Sequence, residues 1–393
     1  MKDLRENELY FVHGYYMSGR IQEATLEFYR DHMIIVKDSM DDIFDIEAYD
    51  IDLIENPMQN SLPCGEFIHY NGQKFEVSKD NPTAIMHTAL NKQLIRSIRR
   101  KNCKNRPSPI SEQITDVHSY HINVGHGNCS IIVFCENGNY NAWMIDCSVF
   151  DFLKKKNYSL NLDVCLHEIN NKFGISAISK LLITHLHYDH INGIEYLIKK
   201  HWIEANTEVW MNTKYPWAQP SYNRILLQLK SLNIKFIDPI IANSTQHINI
   251  LYPSVCFDKK TKAPNNNINN SSVLYQIRFG EASMLFTGDI ETEGWEEVTK
   301  CIPRLCNSTY YCISHHGSIT GHIRDKCPIF GQTKTTLSYC SQSTKVQLLM
   351  GRDGAYQGIY NNQVLKDFSH IVKSEDAEHY LCIDWSTANI HFF

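Results

Sequence analysis

The seven residues Thr184-His185-Leu186-His187-Tyr188-Asp189-His190 constrain this chain more than any other stretch. They follow a short apolar run, Leu181-Leu182-Ile183, that reads as the end of a buried strand, and they precede a helical-looking segment from Ile194 to Trp202. Neutral imidazole and carboxylate are borderline-to-hard ligands suited to Zn²⁺, Mn²⁺ or Fe²⁺. On a tight strand-to-helix turn, His185 and His187 converge on one cation while Asp189 and His190 face a second. A lone surface histidine usually means nothing. Four ligand-type residues in the order His-x-His-x-Asp-His are much harder to dismiss as accident.

The rest of the chain narrows what such a site can serve. With 393 residues, 43% of them hydrophobic, one large domain and a smaller one can each bury a core. The 38 Lys and Arg against 43 Asp and Glu leave a net charge of −5, which excludes a strongly basic nucleic-acid coat. A polyanion would have to be held by a local patch and by metal. The start, Met1-Lys2-Asp3-Leu4-Arg5-Glu6, is too charged for a secretory leader, and no apolar run of about 18 residues is present to span a membrane. Thirteen Cys, an odd number with no Cys-x-x-Cys pair, suit a reducing, cytoplasmic setting.

Residues 1–110 read as a small α+β accessory module. Glu8 to His13 and Met33 to Val36 look like strands, and an acidic stretch from Asp41 to Glu55 follows. Gly65 to Tyr70 and Gln73 to Val77 flank Asn71-Gly72, a pair that supplies the positive φ of a hairpin turn. Thr83 to Arg100 is predicted helical, with Ile85, Ala89, Leu94 and Ile98 on one face. The module ends in Arg96, Arg99, Arg100, Lys101, Lys104 and Arg106, before Pro107 and Pro109 mark a boundary. That cluster could neutralise several phosphates; a solvated helix end and linker is the competing reading.

Beyond the boundary, motifs recur at strand ends. They are His121-Ile-Asn-Val-Gly-His-Gly-Asn-Cys-Ser130, Met144-Ile-Asp146, Asn269-Asn-Ser-Ser-Val-Leu274, Leu285-Phe-Thr-Gly-Asp289, Ser314-His-His-Gly-Ser318 and Met350-Gly-Arg352. A helix with Leu162, Leu166, Ile169 and Phe173 on one side ends at Gly174. Gly288 permits a sharp turn that aims Asp289 inward, where each carboxylate oxygen can take one cation. Either His315 or His316 should complete the second site, with His315 favoured. The strands Ala377 to Ile383 and Ala388 to Phe393 are expected to close a second sheet.

These segments, in this order, resemble the metallo-β-lactamase superfamily, and within it the ComEC-like soluble hydrolase domain and its stand-alone relatives. The resemblance implies an α/β fold, an αββα sandwich, over residues 116–393, and two divalent metal ions, Zn or Mn. The implied ligands are His185, His187, Asp189, His190, Asp289 and His315. Asp146 would orient a ligating histidine, and Asp189 could hold the proton of the attacking water. His316, Ser318 or Tyr356 could assist the leaving oxygen. His126 could face substrate, and Arg352 could clamp a phosphate bidentately. Three departures stand out. Asn128 replaces a common Asp, Gly358-Ile359 replaces a His-Pro pair after Tyr356, and neither His201 nor His247 stands where a third imidazole of the first site would be.

The implied function is a metal-dependent hydrolase. The first expectation is a phosphodiesterase or nuclease acting on DNA, with anti-phage defence among the settings of its relatives and a protein partner reached through residues 1–110. The alternatives are a hydrolase of a small phosphodiester (a phosphocholine ester or cyclic nucleotide) or of an acyl compound, and a partner-gated or non-catalytic subunit.

Overall fold

The computed structural model describes residues 4–16, 32–41, 46–52, 62–100, 113–242, 244–252, 267–301, 307–322, 344–355 and 359–393. The amino-terminal part builds an antiparallel sheet from β1 (Leu9–Tyr16), β2 (His32–Asp38), β3 (Ile46–Asp52), β4 (Phe67–Tyr70) and β5 (Phe75–Val77), in the order β3-β2-β1-β4-β5. The acidic stretch thus contains a strand. No apolar alternation announces β3 because it is an edge strand, where charged side chains can stay in water and block further pairing. The β4–β5 hairpin turns at Gly72, whose φ is +88°, with Asn71 Oδ1 accepting from the backbone of Gln73 and Lys74.

Helix α1 (Pro82–Arg100) follows. Its buried stripe is Ala84, His87, Asn91, Leu94, Ile95 and Ile98, spaced by three and four residues. Ile85 is 52% exposed and Ala89 lies on the same solvent side, so the expected face is corrected by a rotation of the first two turns. Two polar residues, His87 and Asn91, occupy the buried stripe: the His87 ring stacks on Phe67 with centroids 5.8 Å apart, and the Asn91 side chain is hydrogen-bonded. Asn91 Nδ2 donates to Asn223 Oδ1 at 2.8 Å, and Asn223 Nδ2 donates to the His87 carbonyl at 3.0 Å. Lys101, Lys104, Arg106, Pro107 and Pro109 lie outside the described residues. Arg99 turns its guanidinium to the Thr213 hydroxyl and carbonyl, with Nε to Oγ1 at 3.0 Å.

Two larger sheets carry the rest. The first has eight strands and centres on β6 (Ile114–Ile122), β7 (Cys129–Glu136) and β8 (Asn139–Cys147). Beside β8 lie the parallel strands Lys180–Leu182, Glu208–Trp210 and Lys235–Ile237. The second sheet has six strands, from Ile248–Tyr252 to Ile371–Lys373, and its strands from Ala282–Phe286 onward run parallel. Side-chain alternation sorts the layers. Ile132, Phe134, Trp143 and Ile145 meet Tyr275, Ile277, Met284 and Tyr310 between the sheets. Ile131, Val133, Ala142 and Met144 face the other way, onto α2 (Ser159–Phe173). Trp295, Val298, Val364 and Phe368 cover the outer face of the second sheet. This is a four-layer αββα sandwich. The carboxyl-terminal strands do not close the second sheet: Tyr380–Asp384 pairs antiparallel with β6 and Ile390–Phe392 extends the first. Leu381 and Ile383 there feed the inter-sheet core while Tyr380 and Cys382 face the helix layer, which is the alternation a first-sheet strand needs. Among the described residues no helix is long and apolar enough to cross a membrane.

The amino-terminal sheet shares the core of the first helix layer. Phe11, Val36, Phe67, Leu94 and Ile98 belong to one buried cluster with Val124, Tyr188, Trp217 and Tyr222. The Phe11 ring meets Trp217 edge-on at 4.8 Å. At the rim of this contact Asp38 accepts from the Ser221 amide and hydroxyl at 3.1 and 2.8 Å. Trp217 is fully buried, so Trp217→Ala is expected to cost about 3–5 kcal/mol. In limited proteolysis the variant should be cut within residues 1–100 before the two large sheets. Unchanged protection there would show that the shared core is not what holds the sheet.

Candidate metal centre

The two large sheets deliver their polar residues at one end, past the carboxyl ends of their parallel strands. Lys180–Leu182 leads into Thr184 to His190, and Asp146 ends β8. Asp289 follows the strand Ala282–Phe286, and His316 follows Tyr310–Cys312. Two turns there demand glycine. Gly288 has φ +53°, and a Cβ on it would lie 2.7 Å from Thr184. Gly351 has φ +96°, and a Cβ there would lie 2.8 Å from His316 Nδ1.

Two ligand groups result. One is His185, His187 and Asp289; the other is Asp189, His190, Asp289 and His316; all these residues are buried. Asp289 belongs to both. Its Oδ1 is 3.4 Å from His190 Nε2, and its Oδ2 is 3.5 Å from His316 Nε2 and 3.9 Å from His185 Nε2. His316 Nε2 is also 3.5 Å from Asp189 Oδ2. Donor atoms about 2.1 Å from a tetrahedral cation stand about 3.4 Å apart, so these separations suit a shared ion better than hydrogen bonds. Four of the atoms aimed into the cluster, His185 Nε2, His190 Nε2, Asp289 Oδ1 and His316 Nε2, are buried without a hydrogen-bond partner. Unsatisfied buried groups are costly, and divalent cations would satisfy all four at once. The residues present therefore fit two divalent metal ions.

Electrostatics agree. Burial, with the positive field of His190, holds His185 well below the usual imidazole range; burial and His13 do the same to His187, so both are neutral and ready to ligate. Burial alone would depress His190 and His316, but the surrounding carboxylates, Asp289 foremost, outweigh it. His190 stays protonated well above its usual range and His316 up to about 9. Asp189 and Asp289 sit well below the carboxylate range: burial opposes ionisation, and the neighbouring imidazoles overcome it.

The remaining site residues fall around this cluster. Asp146 accepts from the Thr184 amide and hydroxyl at 2.7 Å each and pairs with His190 Nδ1 at 2.8 Å, which fixes the His190 ring. The geometry selects His316 rather than His315 for the second group. His316 Nδ1 faces the Met350 carbonyl at 3.2 Å, leaving Nε2 inward. His315 is partly exposed; its Nε2 is 3.9 Å from Asp289 and its Nδ1 is tied to Thr320 and Glu291 at 3.1 and 3.4 Å. His126 does not line an open substrate surface. It is buried with Nε2 3.2 Å from Asp189 Oδ2 and backs that carboxylate. Arg352 is not a free phosphate clamp, since its Nε pairs with Asp151 at 2.5 Å, and the same carboxylate oxygen accepts the His126 amide. Ser318 caps the short turn Ile319–Gly321 through Thr320. Tyr356 lies outside the described residues. His201 is exposed at a helix end, and His247 faces the Arg278 carbonyl, so neither joins the first group.

Asp151 and His13 are the residues that sequence reading missed. His187 Nε2 meets the His13 carbonyl at 3.1 Å across 174 positions of chain. A lone His before Gly14 in a strand offers only the weak signal of a possible bulge.

Residues 122–310 match the family model of the metallo-beta-lactamase superfamily. The chain carries a metallo-β-lactamase domain. ComE operon protein 3 of Bacillus subtilis (strain 168) is 27% identical over 165 residues, 42% of this chain and 20% of that protein. The match thus spans about one fifth of the relative. Among solved structures, the metallo-beta-lactamase fold protein YhfI from Bacillus subtilis is 13% identical, covering 66% of this chain and 96% of that one with a TM-score of 0.35. A diphosphatase from the PhnP family is 13% identical, covering 51% and 74%, with a TM-score of 0.27.

Two expectations follow for this metallo-β-lactamase domain. His316→Ala should retain one of two bound cations after dialysis while His315→Ala retains both, as read by elemental analysis; the reverse result would restore His315 as the ligand. Ligation requires a neutral ring, so a cation displaces the His316 proton at any pH below about 9. Apparent affinity should therefore rise with pH up to about 9, and calorimetry in buffers of different ionisation heat should register proton release at pH 7.5. In the metal-free protein the sign is opposite. The proton on His316 stabilises the fold fully below pH 6.5, and that contribution is lost as pH rises through about 9.

Proposed function

We propose that this chain is a metal-dependent phosphodiesterase acting on DNA, a nuclease. The observation that carries the reading is Asp289, one buried carboxylate common to two ligand groups. Two divalent cations held there would supply Lewis acidity at phosphorus and an activated water near neutral pH.

The chain's own residues do the rest. Asp189 Oδ2, backed by His126, can accept a hydrogen bond from the attacking water and so orient it. Asp146 and the Met350 carbonyl keep His190 and His316 aimed at Asp289. His315 stands at the more exposed side, with Thr320 and Glu291 on Nδ1 and Nε2 free to meet a leaving oxygen. A protein partner on residues 1–110 and a role in anti-phage defence belong to the same proposal.

A small phosphodiester is the second reading, and a specific observation favours it. Two guanidinium groups that a polyanion could have used are engaged internally, Arg99 by Thr213 and Arg352 by Asp151. End-labelled single- and double-stranded DNA, incubated with Mn²⁺ or Zn²⁺, separates the two readings. We expect degradation by the wild type and none by the His187→Ala/Asp189→Ala double variant. Intact DNA alongside turnover of a small chromogenic diester would replace the nuclease reading with the second one.

A further inference from the structure

We infer that the amino-terminal sheet is a working part of the first ligand group, in which His13 holds His187 in the tautomer and orientation that a cation requires. The inference rests on the metal-binding reading of the site.

The strand β1 makes this possible by a fault in its pairing. The β1–β2 register shifts between Val12 and Gly14, so His13 is the extra residue of a bulge. Bulged residues leave the ladder and can turn their groups elsewhere. The His13 carbonyl turns to His187 Nε2 at 3.1 Å. A carbonyl oxygen only accepts, so Nε2 must carry the hydrogen, and the lone pair of the neutral ring is left on Nδ1. The His13 ring lies over the His187 ring, with centroids 4.5 Å apart and planes 17° apart. Its own Nε2 accepts the Tyr188 amide at 3.4 Å, so the same residue also holds the backbone of the motif. Trp217 closes against both rings, at 5.9 Å from His13 and 5.7 Å from His187.

The second group has no such debt to the amino terminus. His190 is oriented by Asp146 and His316 by the Met350 carbonyl, both within the hydrolase sheets. Loosening His13 should therefore weaken one cation and spare the other. A residue that merely helped the protein fold would not divide the two sites.

The test is competitive Zn²⁺ titration against a chromophoric chelator with wild type, His13→Ala, His13→Phe and Asp38→Asn. Asp38→Asn removes the carboxylate charge at the same sheet's Ser221 contact, away from the motif. We expect His13→Ala to lose about 10–100-fold in affinity at one site only, the range typical of residues that orient a ligand. His13→Phe, which keeps a ring over His187, should lose less, and Asp38→Asn should match wild type. Hydrogen exchange on the wild type provides a measurement that needs no variant. By reciprocity, Zn²⁺ should slow exchange in residues 9–16 together with residues 183–190. A folded His13→Ala with both affinities intact overturns the inference, as does protection of 183–190 with no change in 9–16. A wild type that binds no Zn²⁺ overturns the metal reading itself and takes this inference with it.

Discussion

The structure depends on one carboxylate. Asp289 is buried between four imidazoles and a second carboxylate, Asp189, and three of the nitrogens around it, His185 Nε2, His190 Nε2 and His316 Nε2, have no hydrogen-bond partner. Such a cluster would be expensive if it were left uncompensated. Two compensations are available. In the metal-free protein, protons on His190 and His316 supply the positive charge that two ionised carboxylates need. Divalent cations can take their place, and the donor spacing of 3.4 to 3.9 Å suits that exchange. The site is thus built around a charge that something mobile must neutralise, which is the condition for a hydrolytic metal centre.

Most of the ligands of this cluster follow strand ends. Parallel strands in both sheets stop at the same level, and their connections turn inward at Gly288 and Gly351, where a side chain would collide with Thr184 or His316. The inter-sheet core of Trp143, Ile145, Tyr275, Met284 and Tyr310 sets the gap across which His190 and Asp289 face each other. A polar chain then ties the rim: Arg352 to Asp151, Asp151 to the His126 amide, and His126 to Asp189. Residues that would serve substrate in a looser site are here spent on holding the ligands still. That choice gains rigidity at the metals and engages the Arg352 guanidinium internally.

The amino-terminal sheet takes part in the same economy of positions. It shares a hydrophobic core with the hydrolase through Phe11 and Trp217 and brings a bulged residue to the edge of the motif. A module that reads in sequence as an attachment lies, in three dimensions, against the first ligand group.

What the sequence determined by itself is local. The order His-x-His-x-Asp-His, the Gly-Asp turn after an apolar strand and the Gly174 cap each depend on spacing within a few residues, where periodicity and turn chemistry act directly. The ligand types were legible for that reason, and the layered α/β fold through the family resemblance that those motifs carry. What only the tertiary structure decided is which neighbour faces which. His315 and His316 are adjacent and both left-handed in φ, so nothing local separates them; the Met350 carbonyl, from another strand, turns one inward. The buried face of α1 followed the Asn91–Asn223 hydrogen bond and the stacking of His87 on Phe67 rather than the apolarity of Ile85. The last strands joined the first sheet because β6 had an open edge for them. His13 reaches His187 only because a bulge in β1 meets a motif far along the chain, and contacts of that separation leave no periodic trace in sequence.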